Sequence, residues 1–222
     1  MYLYDVHVHT SETSQCGKVD AKTAVHMYKN AGYHGLVITD HFHGDYFNTL
    51  AGSWKDRVNE YLRGYRIALQ EGEKIGINVI LGIELRFEEN YNDYLIYGID
   101  EDFLYENEYL YKMNIKKFHE YIHGTSIMIY QAHPFRAAVF PEKPEYLDGI
   151  EVYNGNPRHE SHNEKAVEYA KKHNLKMISG SDFHQAGDLA RGGIVLTAAP
   201  KDSMELAKML AGGCVVRLIQ NS

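Results

Sequence analysis

Short runs of aliphatic and β-branched residues alternate along this chain with longer stretches in which apolar positions recur every three or four residues. Residues 2–9 read as a strand, and residues 21–31 as a helix closed by Gly32. Further strands are predicted at 36–39, 79–84, 94–99, 127–131, 150–153, 176–179, 194–197 and 215–219. Helical patterns fill 54–75, 108–122, 160–173 and 203–210. Strands separated by helices predict a parallel sheet with right-handed crossovers, and this number of units favours a barrel over an open sheet. The expected class is α/β. No Gly-rich phosphate fingerprint follows the first strand, which argues against a nucleotide-binding doubly wound fold.

Composition narrows the picture. With 222 residues, 44% of them hydrophobic, the chain can bury one substantial core, and one domain is expected over residues 1–222. The formal charge is -7 and the 23 Lys and Arg are scattered, so no nucleic-acid footprint is visible. A small anionic substrate remains compatible if bound cations reverse the local field. No apolar run reaches the length of a membrane span, and the first residues carry no basic segment followed by an apolar stretch. A soluble, cytoplasmic protein is expected. Cys16 and Cys214, the two cysteines, have neither the number nor the spacing of a disulfide framework or a zinc knuckle, which suits a reducing compartment. Oligomeric state is not readable from the pattern.

The chemistry gathers where the strands end. His7 and His9 close the first predicted strand, Asp40 and His41 the second, and Glu84 the third. His133 follows the strand ending QAHPF, Glu151 and Asn154 belong to EVYNG, and Asp182 and His184 to SGSDFH. Strand alternation puts His7 and His9 on one face, and Asp182 and His184 likewise. Because the carboxyl ends of parallel barrel strands converge on one mouth, residues distant in sequence meet there. His26, His119, His123, His159, His162 and His173 fall in helical patterns and His34 in a loop, and these seven are read as ordinary surface or packing residues. His43 is open: a ligand, a hydrogen-bond donor to substrate, or a plain loop histidine.

The ordered motifs DVHVHT, ITDH, GIE, AHP and SGSDFH resemble those of the PHP (polymerase and histidinol phosphatase) family, and the resemblance spans most of the chain. It implies a distorted seven-stranded β/α barrel, a TIM-like (β/α)7 fold. With it comes a cluster of two or three divalent ions (manganese, zinc or iron) that hydrolyses phosphoesters. Carried over residue by residue, it gives the first ion His7, His9, Glu84 and Asp182. Glu84 bridges to a second ion that also takes His133, and a third ion takes His41 and His184. Two positions depart from the family pattern. Where many relatives carry a histidine after the bridging Glu, this chain has Asp93, a harder and more anionic ligand that favours manganese, magnesium or iron over zinc. Where relatives supply a His or Asp after the first motif, this chain reads SETSQCGK, so that Glu12 or Cys16 could fill the role, a thiolate favouring zinc, or either could be a loop residue.

Such a cluster suits phosphoester cleavage because the ester is an anion that resists anionic attack and its leaving alkoxide is poor. The expected nucleophile is a hydroxide bridging two ions. Glu84, Asp182, His184 and Arg136 form the expected catalytic group. Asp40 is read as a partner fixing an imidazole tautomer, with Asp5 doing the same from below the first pair. Arg136 could clamp a phosphate or pair with a surface carboxylate. Alternation lets only one of Glu151 and Asn154 face the mouth, and Asn154 is chosen for a substrate hydrogen bond. Most of the 18 tyrosines read as packing, with Tyr46 and Tyr153, beside the motifs, set apart. The expected activity is thus hydrolysis of a small phosphorylated metabolite, such as histidinol phosphate or a nucleotide. The alternatives are a metal-dependent amidohydrolase, which would want a strand-end lysine, and a non-catalytic metal-binding module.

Overall fold

The computed structural model describes residues 1–221; the final position of the expected domain, 222, lies outside the described residues. Its strands are β1 (Tyr2–Val8), β2 (Gly35–Ile38), β3 (His41–Phe42), β4 (Asn78–Leu81), β5 (Ile83–Arg86), β6 (Asp93–Tyr97), β7 (Met128–Gln131), β8 (Gly149–Asn154), β9 (Lys176–Gly180), β10 (Gly192–Leu196) and β11 (Val215–Gln220). Eight α-helices accompany them: α1 (Ala21–Asn30), α2 (Gly44–Phe47), α3 (Trp54–Tyr61), α4 (Arg63–Ile75), α5 (Glu101–Glu106), α6 (Ile115–Tyr121), α7 (Asn163–His173) and α8 (Ser203–Ala211).

One sheet runs β11-β10-β1-β2-β4 and the other β3-β5-β6-β7-β8-β9. They are continuous in two places. At one seam Gly82 alone carries β4 into β5 and residues 39–40 carry β2 into β3; at the other a parallel bridge between Val8 and Phe183 returns the end of β9 to β1. Followed around, the staves are β1, β2 with β3, β4 with β5, β6, β7, β8 and β9, a distorted seven-stranded barrel. Strands β10 and β11 lie outside that ring, β10 antiparallel to β1 and β11 antiparallel to β10.

The all-parallel expectation fails at one stave. β6 is antiparallel to both β5 and β7. Only residues 87–92 connect β5 to β6, too few for a helical crossover, so the chain turns back as a hairpin. The reversal has a functional result: the start of β6, at Asp93, reaches the mouth where the other staves present their ends.

Other boundaries also shift. The helix expected at 54–75 is interrupted at Leu62, and the one at 108–122 becomes a 3-10 turn, Leu110–Lys112, followed by α6. The strand at 79–84 divides at Gly82 between the two sheets. The helix expected from 160 begins at Asn163, behind His162 at φ 48°, so His159 and His162 precede it.

Packing explains why the barrel holds. Tyr4, Val6, Val37, Ile80, Leu95 and Tyr130 form one buried cluster, and each fully buried side chain of this kind contributes roughly 1.5–3 kcal/mol. A second cluster seals α1 and α4 onto β2, and a third seats Ala166 and Ala170 of α7 on Ile150 and Val152 of β8. Tyr46 belongs to the core rather than the mouth, and Tyr153 donates to the Asn221 carbonyl. Among the described residues no helix is long and apolar enough to cross a membrane.

Candidate metal centre

At the mouth the staves bring His7, His9, His41, Glu84, Asp93, His133, Asp182 and His184 together, most of them fully buried. Glu84 is at the centre. Its Oε1 lies 3.3 Å from His7 Nε2 and 3.0 Å from His133 Nε2; its Oε2 lies 3.4 Å from His9 Nε2 and 2.7 Å from His41 Nδ1. Asp182 Oδ1 stands 3.5 Å from both His7 Nε2 and His9 Nε2. Ligands about 2.0–2.2 Å from a common ion are themselves about 3–3.5 Å apart, so the His7, His9, Glu84 and Asp182 separations have the edge lengths of a coordination polyhedron.

The hydrogen bonding supports the same fit. Among the described residues, the inward atoms His7 Nε2, His9 Nε2, His41 Nδ1 and Glu84 Oε2 are buried with no hydrogen-bond partner. Leaving such atoms unpaired costs about 1–3 kcal/mol each, which divalent ions would offset. The opposite ring nitrogens are held. His7 Nδ1 donates to Glu151 Oε1 at 2.9 Å, and His9 Nδ1 donates to Ser14 Oγ at 3.1 Å. Ser14 in turn donates to Asp40 Oδ1 at 2.7 Å, so its oxygen is free to accept from His9. In its neutral form each imidazole is thereby fixed with the Nε2 lone pair directed inward. Asp40 acts through Ser14 and also accepts from the Thr10 amide and hydroxyl; it touches no metal-capable ring nitrogen directly. Burial pushes its carboxyl up to about 6 despite those bonds.

Charge in the cluster is strongly displaced. Burial would raise Glu84, but the His41 and His7 imidazoles and the His133 hydrogen bond hold it well below the usual carboxylate range. Asp182 is likewise kept low, against burial, by His7 and Arg136. Burial works against charging His7, yet Glu151, Glu84 and Asp182 raise it well above the ordinary histidine value. His9 goes the other way, lowered by burial and by the neighbouring His184 and His41. The carboxylates thus demand positive charge at their centre, which protons or divalent cations can supply.

Two strand irregularities build this geometry. In β8 the register with β9 shifts between Glu151 and Tyr153, so Glu151 and Asn154 both face the site, and Asn154 Nδ2 donates to Glu151 Oε2 at 2.9 Å. The expectation that only one of them would do so fails for that reason. In β1 the register with β2 shifts between Asp5 and Val8. Asp5 accordingly turns to α1, where it accepts from Tyr28 at 2.7 Å, and it holds the His7 and Ser181 amides rather than an imidazole. Gly180 permits the close approach: a Cβ there would lie 2.4 Å from the His7 Cβ. His133 and Asp182 have φ of 28° and 50°, a strained backbone for side chains of their size.

The remaining candidates divide clearly. Asp93 accepts from Arg86 through both oxygens, at 2.8 and 2.9 Å, and its Oδ2 is 3.9 Å from His133 Nε2. Glu12 is directed elsewhere: its carboxylate accepts from the Ala21 amide at the start of α1 and lines no part of the mouth. Cys16 does line the mouth, facing His41 and His184; burial pushes its thiol up, but those two imidazoles pull it down to about 6. His43 caps α2, accepting from the Tyr46 amide, and is lowered to about 4 by burial and then by His41 and Arg86. Arg136 donates to Asp182 Oδ2 at 2.6 Å and to Asn154 Oδ1 at 3.0 Å, and its buried Nε has no partner.

A cleft of ≈ 340 Å³ opens over the cluster, lined by His41, His133, Asp182 and His184 and by the cations Lys18, Arg86, Arg136 and Arg158. Sequence reasoning missed Arg86, Arg158, Asn156 and His159 here. The segment NGNPRHE that supplies three of them follows β8 directly, and that position, the loop at the carboxyl end of a barrel strand, was the available signal.

Comparisons with known proteins agree with this architecture. A family model, described as PHP domain, matches residues 5–212. No curated protein matches the sequence. Among solved structures, a two-domain protein from Bacteroides vulgatus, described as containing a predicted PHP-like metal-dependent phosphoesterase, superposes with TM-score 0.70 at 16% identity. That alignment covers 99% of this chain but 65% of the other, so this chain spans less than two thirds of that protein. PsfC from Pseudomonas syringae aligns with TM-score 0.65 at 16% identity, over 99% of this chain and 91% of its own. An amidohydrolase from Chromobacterium violaceum, with bound sulfate and no metal, aligns with TM-score 0.55 at 15% identity, over 96% and 97%.

Proposed function

Since the chain belongs to the PHP domain family, we propose that it is a metal-dependent phosphoesterase acting on a small phosphorylated metabolite in the cleft above Glu84. One observation carries this reading: each Glu84 oxygen faces two imidazoles, and the inward nitrogens of His7 and His9 are buried without a partner. His7, His9, Glu84 and Asp182 would hold a first ion and Glu84 with His133 a second, with His41 and His184 available to a third. Two or three divalent ions, manganese, zinc or iron, would neutralise phosphoryl oxygens and lower the pKa of water from 15.7 towards about 7.

The protein's own groups supply the rest. Arg136 lines the cleft while its bonds to Asp182 and Asn154 keep the guanidinium fixed, a preorganised cation for a phosphoryl group. Asn154 buttresses that arginine and Glu151 at once. Lys18 and Arg158 on the rim favour an anionic substrate despite the chain's net charge of -7. A cleft of ≈ 340 Å³ suits a metabolite, histidinol phosphate or a mononucleotide among the candidates, better than a polymer.

The test is a phosphate-release assay on a panel of phosphomonoesters and phosphodiesters, run beside an amide panel, with manganese, zinc or iron supplied. Turnover of phosphoesters alone is the expected result. Turnover of amides alone would move the assignment to amide hydrolysis, and bound metal with no turnover of either would leave a metal-binding module.

A further inference from the structure

We infer that a groove at the base of the barrel, opposite the mouth, is a second binding site, and that its ligand is a small apolar carboxylate. The inference is independent of the metal-dependent reading above, because it uses none of the residues around Glu84.

Strand direction fixes the place. β7, β8 and β9 run parallel and deliver their carboxyl ends to the mouth, so Gly149 and Lys176, which open β8 and β9, lie at the other end. There the end of α8 and the first residues of β11 meet the start of β9 around a groove of ≈ 400 Å³. Met177, Leu210 and Leu218 give it apolar walls, and Tyr130, Lys176 and Arg217 supply its polar groups.

Tyr130 carries the argument. The residue is 1% exposed, yet among the described residues its hydroxyl has no hydrogen-bond partner. Tyr28, Tyr61, Tyr94 and Tyr97, comparably buried, each donate theirs. The Tyr111 hydroxyl is also unpaired, but it is sealed in the core, whereas Tyr130 lines the groove. Burial, and then the charge of Asp148, push the Tyr130 hydroxyl up, so it stays protonated and able to donate. Its ring is held in place by a close approach to Gly149, where a Cβ would lie 2.1 Å from the tyrosine Cε1.

Charge selects the ligand. Lys176 and Arg217 form no ion pair with any of the described residues. Asp148 feels the charge of Lys176, but its carboxylate accepts from the Ile129 amide at 2.8 Å and makes no salt bridge. Two unpaired cations and one unpaired donor therefore meet beside an apolar surface. A carboxylate with a short hydrocarbon body answers all three groups and buries its chain against Met177, Leu210 and Leu218. An ammonium group would be repelled. A second copy of the chain fits less well: β11 is the free edge of its sheet and Arg217 is its one charge, so pairing edge to edge would bring like charges together.

The experiment titrates the full chain with octanoate, and in parallel with octylammonium, by calorimetry. Octanoate is expected to saturate one site per chain, and octylammonium none. Tyr130→Phe, which removes the hydroxyl alone, should weaken octanoate about fivefold, and Lys176→Gln with Arg217→Gln about tenfold or more, with melting temperatures unchanged in the surface pair. No saturable binding of octanoate would overturn the inference. So would binding that both variants retain in full, which would put the carboxylate elsewhere, or equal binding of octylammonium, which would leave an apolar groove without charge selection. Sedimentation of the same samples adds one further outcome. A dimer that Val216→Glu dissociates and octanoate does not would assign the groove to a second copy and overturn the inference as well.

Discussion

His7 Nδ1 and Glu151 Oε1 are 2.9 Å apart, and neither side chain is exposed to solvent. The carboxylate thereby decides which nitrogen of His7 keeps its lone pair, from a stave two places away around the ring. Replacing it by an uncharged amide keeps the shape and removes the charge. Glu151→Gln is expected to weaken the tightest metal site about 10–100-fold with the fold retained. Competition against a chromophoric chelator, beside a circular dichroism melt, measures both; unchanged affinity would remove Glu151 from the account.

Ser14 relays Asp40 to His9, with bonds of 2.7 and 3.1 Å. In Ser14→Ala the His9 Nδ1 proton and one lone pair of Asp40 lose their partner at a buried site. A stability loss of about 1–3 kcal/mol is expected in the metal-free protein, read as a lower urea midpoint at constant slope. Metal affinity should fall with it, because the His9 tautomer is no longer fixed.

Arg86 occupies both oxygens of Asp93. Arg86→Ala would leave that carboxylate, which is 4% exposed, without its cation, costing about 1–3 kcal/mol in the metal-free state. It would also release Asp93 towards His133, His41 and Glu84. Manganese should therefore stabilise the variant more than it stabilises the wild type, a difference that thermal melts with and without the ion would show. Equal stabilisation would mean that Asp93 is no ligand even when free.

Burial pushes the Asp5 carboxyl up from 3.8 to about 6, against hydrogen bonds from Ser181, Tyr28 and His7. Between those two values the folded protein holds a proton that the unfolded chain has released. This group's contribution to stability therefore falls as pH rises through that window, reaching a cost on the order of 3 kcal/mol above it. Relative to Asp5→Asn, the wild type should lose stability on going from pH 4 to pH 7 in chelator. A difference between the two proteins that does not change with pH would contradict the shift.

Much of the site was legible because a parallel strand ends at a known place. His7, His9, Glu84, His133, Asp182 and His184 could be placed at one mouth from strand ends alone. What could not be read were departures from the ideal pleat. The register shifts in β1 and β8 turned Asp5 away and let Glu151 and Asn154 face inward together, and no alternation rule anticipates an inserted residue. The reversed β6 was nearer to hand, since no helix was predicted between residues 84 and 94. Pairings such as Arg86 with Asp93 depend on where long side chains settle, which spacing along the chain does not specify.

The central claim is that Glu84 joins ions that hydrolyse a phosphoester, and metal content measured beside turnover tests it most directly. Wild type and Glu84→Ala would be analysed for bound manganese, zinc and iron and assayed for phosphate release. Two or three ions per chain in the wild type are predicted, with fewer in the variant and a rate at least about a thousandfold lower, the loss of some 4 kcal/mol of transition-state stabilisation. A wild type that hydrolyses phosphoesters without bound metal, or a variant that keeps both its ions and its rate, would contradict the account.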